Sequence, residues 1–221
     1  MNELGKKLIL FVFLYLIYQN ILYIILAPEI YSIPIFVVYL ITAYMITLVD
    51  TLIRSIPEAK KAPKIFNFLI LLLLLLAPFF LISAFFENKF FISQLISFWD
   101  NIGVSYIGFC LYLAGGLFTL VARSQLGRFG TAELITEEEH ELVTNGVYRF
   151  IRNPMYAGAL VATIGFCLIF RSIITLVIMF ISNFFVFRFR IIEEERVLIE
   201  KFGEKFEDYK KKTKKLIPFV Y

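Results

Sequence analysis

Two groups of polar residues flank hydrophobic runs in the second half of the chain. His140, Tyr148, Arg149, Arg152 and Asn153 lead into LVATIGFCLIF, and Arg188, Arg190, Glu193, Glu194 and Glu195 follow IITLVIMFISNFFVF. Arg190 and Glu194 are four apart, so on a helix they share one face. Such a cluster can bind by charge and hydrogen bonding at a boundary between water and an apolar phase. Spacing alone also allows a plainer role: Arg190 and Glu194 as a snorkelling pair, with Tyr148 and Tyr156 in an interfacial aromatic belt. His140 is the single histidine, which excludes any site built on two. Cys110 and Cys167 lie inside apolar segments and are expected to pack, forming neither a disulfide nor a metal site.

The elements that must position these residues are membrane helices. The chain has 221 residues, of which 60% are hydrophobic and 18% charged. Its mean hydropathy is +0.80. A soluble domain is about 45–50% apolar. No alternating strand pattern is visible, so a barrel is not expected, and helices satisfy their own backbone in lipid. With about 20 apolar residues needed per crossing, the expected spans are about 8–27, 33–53, 65–86, 98–122, 155–170 and 173–190. The first run is too long for the core of a signal peptide and reads as a retained span. Pro28, Pro34, Pro57, Pro63 and Pro154 sit near span boundaries, whereas Pro78 falls inside the third span and is expected to kink it. Arg171-Ser172 is the only break between the last two spans, which predicts a tight hairpin that brings the two polar groups to one face.

Charge tests the span count. If the N-terminus is cytoplasmic and six spans alternate, the inner segments hold 20 of the 22 Lys and Arg residues, leaving Lys89 and Arg171 outside. The positive-inside rule then places both termini and the polar groups on the cytoplasmic side. Lysines at 60, 61 and 64 and from 210 to 215 read as anchors to anionic lipid. No basic domain stands clear of the membrane, so nucleic acid is not an expected partner.

Within this frame the fourth span carries Gly103, Gly108, Ala114, Gly115 and Gly116, small residues that allow close helix packing. Asn183, in the middle of the sixth span, is expected to make an interhelical hydrogen bond. The connection from Arg123 to Asn153 is long enough to carry function. It reads as a short acidic helical turn, an extended Leu-Val-Thr and an Asn-Gly turn. After the sixth span, Leu198, Phe202, Phe206 and Tyr209 form an apolar stripe at helical spacing, interrupted by Gly203. The fold class is therefore all-α: a polytopic membrane bundle of about six helices with a cytoplasmic C-terminal amphipathic helix.

HELVTNGVYRFIRNPMYAG, followed by EEERVLIEKFGEKFEDYKKKTKKLIP, resembles the isoprenylcysteine carboxyl methyltransferase and phospholipid methyltransferase superfamily. The family pattern runs His-x-Leu-Val-Thr-x-Gly-Pro-Tyr, then Arg-His-Pro-x-Tyr-x-Gly, a helix hairpin, Glu-Glu-x-x-Leu, Phe-Gly and a Tyr before a basic tail. The likeness covers roughly Arg123 to Pro218 and divides the chain into three N-terminal spans (1–97) and a methyltransferase core (98–221). Val147 stands where the pattern has proline, and Asn153 where it has histidine. An asparagine there binds and does not titrate.

The resemblance implies an S-adenosylmethionine-dependent membrane methyltransferase with a cytoplasmic cofactor pocket. It implies that His140, Leu142, Val143, Thr144, Gly146, Tyr148, Asn153, Pro154, Tyr156, Gly158 and Glu195 contact the cofactor, and that Arg190 and Glu194 stand near the transferred methyl. A carboxylate acceptor fits, since its pKa near 4 makes a general base unnecessary and an arginine can grip it. The implied substrate is lipophilic or lipidated and enters sideways from the membrane, while the cofactor enters from water. Three alternatives stay open: a phospholipid amine or small thiol as acceptor, an NADPH-dependent sterol-type reductase, and a non-catalytic scaffold.

Overall fold

The computed structural model describes residues 3–53, 64–92, 101–127 and 142–216. Each long apolar run forms a helix. The first crossing, Leu4–Leu26, is built from α1 (Glu3–Phe11), a π-helical stretch (Val12–Tyr18) and α2 (Gln19–Leu26). It is followed by α3 (Pro34–Ile53), α4 (Lys64–Glu87), α5 (Ile102–Leu126), α6 (Pro154–Ile169), α7 (Ile173–Phe202) and α8 (Glu204–Lys212). Five helical segments are long and apolar enough to cross a membrane, and α6 is a shorter apolar helix of 16 residues. The molecule is thus a polytopic helical membrane protein with no strand among the described residues. Prolines open α3 and α6, where a missing N–H costs nothing, and Pro78 lies fully buried inside α4.

Large apolar side chains cover the outside, as lipid contact demands: Ile25 is 68% exposed and Phe185 65%. The interior is held by small residues and by rings. On α5 and α6, Gly108 faces Gly165 and Gly115 faces Gly158, so the backbones touch. A Cβ added at Gly115 would lie 2.5 Å from the Gly158 carbonyl oxygen, and one at Gly108 would lie 2.7 Å from that of Gly165. Phe36 and Tyr39 of α3 pack on Phe170 and Phe166 at ring separations of 5.8 and 5.6 Å. Tyr39 also meets Tyr112 of α5 at 4.9 Å. This aromatic core contains residues from both sides of position 97.

The helix ends fall on two opposite faces. One holds the Glu29–Lys89 ion pair at 2.5 Å and the α6–α7 turn, where Arg171 takes a left-handed φ of +54°. Here Glu87, buried at the end of α4, accepts hydrogen bonds from the Ile174 and Thr175 amides (2.7 and 2.8 Å) and from the Thr175 hydroxyl (2.8 Å). A carboxylate on the orphan amides of a helix start complements the helix dipole. It pins α7 to α4. The opposite face holds the Asp50–Arg123 ion pair, the segment 142–153 and the residues after Phe187.

Helix α7 runs without a break from Ile173 to Phe202. Thirty residues give about 45 Å, against about 30 Å of hydrocarbon, so its last turns project from the bundle. Arg196 bridges Glu193 at 2.9 Å and Glu200 at 3.6 Å along that exposed part. Gly203, with φ +50°, ends the helix where the sequence predicts a break. The α8 segment that follows buries Phe206 and Tyr209 and keeps its acidic residues first and its lysines last.

Candidate active site

Three pieces meet on that second face: the segment 142–153, the C-terminal half of α7, and the tail after α8. The predicted Asn145-Gly146 turn is present. Gly146 has φ +57°, and the next amide, Val147 N–H, donates to the Gln125 side chain at 2.9 Å. A 3₁₀ turn, Gly146–Arg149, then folds Tyr148 inward until only 5% of it is exposed. The Tyr209 hydroxyl donates to the Tyr148 carbonyl at 2.6 Å, fastening α8 beneath the turn. Burial pushes the Tyr209 hydroxyl up to about 12 and the Tyr148 hydroxyl up as well, with the nearby Tyr209 adding to the effect.

The tail is tied down by Arg152 and Asn153. Their backbone amides donate to the Lys214 and Lys215 carbonyls at 2.8 and 3.2 Å, and the Lys214 amide donates to the Phe150 carbonyl at 3.2 Å. The Arg152 guanidinium, with an 11% exposed side chain, donates to Glu195 Oε1 (3.1 Å), the Lys210 carbonyl (3.1 Å) and the Thr213 carbonyl (2.6 Å). Asn153 Nδ2 donates to the Lys215 carbonyl at 3.0 Å. Glu195 also faces the Lys215 ammonium at 3.6 Å. One guanidinium thus joins the segment, the helix and the tail.

One turn along, Arg190, Tyr156 and Glu194 form a closed triangle. Arg190 Nε donates to the Tyr156 hydroxyl and Nη2 to Glu194 Oε1, both at 2.9 Å. The Tyr156 hydroxyl donates to the same Glu194 oxygen at 2.5 Å. The Arg190 side chain is 12% exposed and that of Glu194 24%. Phe187 packs at a tilt against the Tyr156 ring at 5.0 Å and forms the floor of the triangle on the apolar side. The pair expected from spacing is therefore a triad whose third member comes from α6. It fixes a cation at the depth where α7 leaves the apolar layer.

The remaining expected residues are distributed as follows. Leu142, Val143 and Thr144 lie outside any regular element, and their backbone groups make no hydrogen bond among the described residues. Pro154 is buried at the first turn of α6. Gly158 points at α5, where a Cβ would meet Thr119 Oγ1 at 2.4 Å, so the close approach it permits is between helices. Glu195 lies in the Arg152 clamp, one residue from the triad. His140 and the expected acidic turn before it lie outside the described residues. Sequence reasoning did not single out Gln125, Thr213 or the Lys214–Lys215 backbone. Their partners are far away in sequence, so spacing carries no signal for them.

Residues 104–205 match the phospholipid methyltransferase family. The chain is 31% identical over 119 residues to a probable protein-S-isoprenylcysteine O-methyltransferase of Oryza sativa subsp. indica, covering 53% of this chain and 62% of that one. It is 32% identical over 119 residues to the protein-S-isoprenylcysteine O-methyltransferase of Dictyostelium discoideum, covering 52% and 50%. The chain therefore matches half to two-thirds of the length of these relatives. Its fold is similar to that of a eukaryotic intramembrane Ras methyltransferase, isoprenylcysteine carboxyl methyltransferase. The TM-score is 0.63 at 23% identity, over 98% of this chain and 74% of that one. The motif segment and the helix hairpin after it are thus similar in sequence to isoprenylcysteine and phospholipid methyltransferases, and the bundle that carries both is similar in fold to a membrane protein of that kind.

Proposed function

We propose that the chain is an S-adenosylmethionine-dependent methyltransferase that esterifies the carboxylate of a lipidated, isoprenylcysteine-like acceptor at the cytoplasmic face of a membrane. The observation that carries this reading is the Arg190–Tyr156–Glu194 triad, a fixed cation at the level where an apolar layer meets water. The residues present fit the cofactor on two counts. The irregular backbone of Leu142–Thr144 makes no hydrogen bond among the described residues, so it can take the edge of an adenine. The Tyr148 hydroxyl is buried with no partner among them, so a polar ligand beside the turn would satisfy it. The tail held by Arg152 and Asn153 closes the other side. When bound, the cofactor supplies a methyl on a cationic sulfur, which leaves with the sulfur keeping the bond's electron pair as an acceptor oxygen takes the methyl.

This chain's own residues then have three tasks. Arg190 holds the acceptor carboxylate in line, a role that suits a guanidinium better than an ammonium. Tyr156 and Glu194 fix the guanidinium plane, and the Glu194 charge favours a cation nearby. The apolar surroundings exclude water, which strengthens each of these contacts. No proton has to be removed, because the acceptor is already ionised at neutral pH.

An arginine at this point favours a carboxylate over the amine of an aminophospholipid. The test is transfer of labelled methyl from S-adenosylmethionine by the purified chain to N-acetylfarnesylcysteine, an aminophospholipid and a small thiol. Transfer to the first is expected. Transfer only to the second or third reassigns the acceptor, and binding of NADPH in place of S-adenosylmethionine rejects the class. Reporter fusions at Lys89 and at the C-terminus should report opposite sides of the membrane, and equal locations reject the cytoplasmic placement.

A further inference from the structure

Beneath the triad, inside the apolar layer, the helices line a partly open cavity of about 380 Å³, within the size range of small-molecule sites. Its end nearest the triad is Phe187, the ring packed against Tyr156. A hydrocarbon tail alone would call for a wall of Leu, Ile and Phe. This wall also carries Gln19, Tyr39, Tyr112, Thr163 and Asn183. Asn183 Nδ2 donates to Thr163 Oγ1 at 2.9 Å, and Thr163 Oγ1 donates to the Ala159 carbonyl, so both groups are held toward one level. That level is seven residues from Arg190 on α7 and from Tyr156 on α6, about 10 Å along each helix. Gln19 is only 6% exposed and lines the same cavity. Its amide has no hydrogen-bond partner among the described residues. Asn20, next in sequence, is by contrast fully engaged with Tyr31, Tyr44 and the Leu16 carbonyl.

An unpartnered primary amide is costly inside a membrane protein, and buried polar groups are as a rule hydrogen-bonded. A purely hydrocarbon occupant would leave it unsatisfied. We infer that this cavity binds an oxygen function, a hydroxyl or a carbonyl, set within the apolar body of the acceptor, and that Gln19 and Asn183 recognise it. The inference rests on the carboxyl-methylation reading for the identity of the occupant. The substrate class it names is an oxygenated lipophilic acid: a carboxylate at Arg190, hydrocarbon past Phe187, and a neutral oxygen about two helical turns deeper.

The test uses the purified full chain in detergent and measures displacement of tritiated stearic acid by unlabelled stearic acid and by its 8-, 10- and 12-hydroxy derivatives. At least one hydroxy acid should displace the label about 2- to 12-fold more strongly than stearic acid, the worth of one neutral hydrogen bond. Gln19→Leu should abolish that advantage while leaving the affinity for stearic acid equal or higher, and it should not lower the thermal midpoint. Gln19→Met serves if the leucine variant misfolds. Equal displacement by all four acids, an advantage that survives in both variants, or absence of displaceable binding overturns the inference. Binding is read without methyl transfer. A chain that distinguishes the acids yet methylates no carboxylate keeps the site and loses the reaction.

Discussion

Replacing Arg152 with alanine removes a guanidinium that holds three separate pieces of chain. The side chain is 11% exposed, and its partner Glu195 is 13% exposed. Its hydrogen bonds to Glu195 and to the Lys210 and Thr213 carbonyls are charge-assisted. Losing one partner of a buried ion pair costs about 3–5 kcal/mol, because the groups left behind stay desolvated. The Lys215 ammonium, 3.6 Å from Glu195, offsets part of this. The clamp joins surface segments and does not run through the bundle, so the loss should appear as release of the tail more than as global unfolding. A shift of about 3 kcal/mol changes the docked-to-released ratio by on the order of 100-fold. Hydrogen exchange at residues 210–216 should therefore quicken by roughly that factor in Arg152→Ala, while amides of α5 and α6 keep their protection. Arg152→Lys retains the charge but cannot reach three acceptors as a planar fork does, so its exchange should fall between the two. S-adenosylmethionine affinity should fall in the same order. Unchanged exchange in Arg152→Ala would refute the clamp.

Three other outcomes follow from the same geometry. Arg190→Ala should lower turnover by on the order of 100-fold, the cost of about 1 Å of misplacement, with a smaller change in cofactor affinity; near-normal turnover per folded molecule makes the pair a membrane-edge anchor. Glu87→Gln should cost about 1–2 kcal/mol and Glu87→Ala more, by thermal unfolding in detergent, since the carboxylate receives three hydrogen bonds at the start of α7. Gly115→Ala should cost more than about 3 kcal/mol because its Cβ would meet backbone at 2.5 Å, whereas Gly116→Ala should cost about 1 kcal/mol or less because it meets only the end of the Ile46 side chain. Equal midpoints for the two glycine variants would reject the backbone contact.

Local chemistry was legible in the sequence, and distant pairing was not. Runs of apolar residues place the helices because lipid forces the backbone to satisfy itself. The breaks at Arg171-Ser172 and Gly203 could be read because each interrupts a periodic stretch, and both coincide with left-handed φ values. Asn183 was legible as an interhelical donor because an amide at that depth requires a partner, although Thr163 could not be named. Arg190 and Glu194 were visible at i,i+4, but the Tyr156 hydroxyl that completes the triangle comes from another helix. The clamp was hidden for the same reason: Arg152 and Thr213 are 61 positions apart, and the acceptors are carbonyls that any residue possesses. Gly158 belongs to a motif, yet its contact is with Thr119 and Gly115, so motif membership did not reveal its neighbour. Glu87 stood at the end of an apolar run and Gln19 inside one, with nothing local to mark either as buried.

The tie between residues 150–153 and residues 210–215 also sets the order in which the site can be assembled. Every helix of the bundle precedes the tail in the chain, so Lys214 and Lys215 can dock only after the last of them has been made. Until those residues emerge, the Arg152 and Asn153 amides have no acceptor and one wall of the site is missing. A chain at that stage lacks a finished pocket. Maturation of the site is thus a late, separate event, timed by the last segment of the described fold to be made.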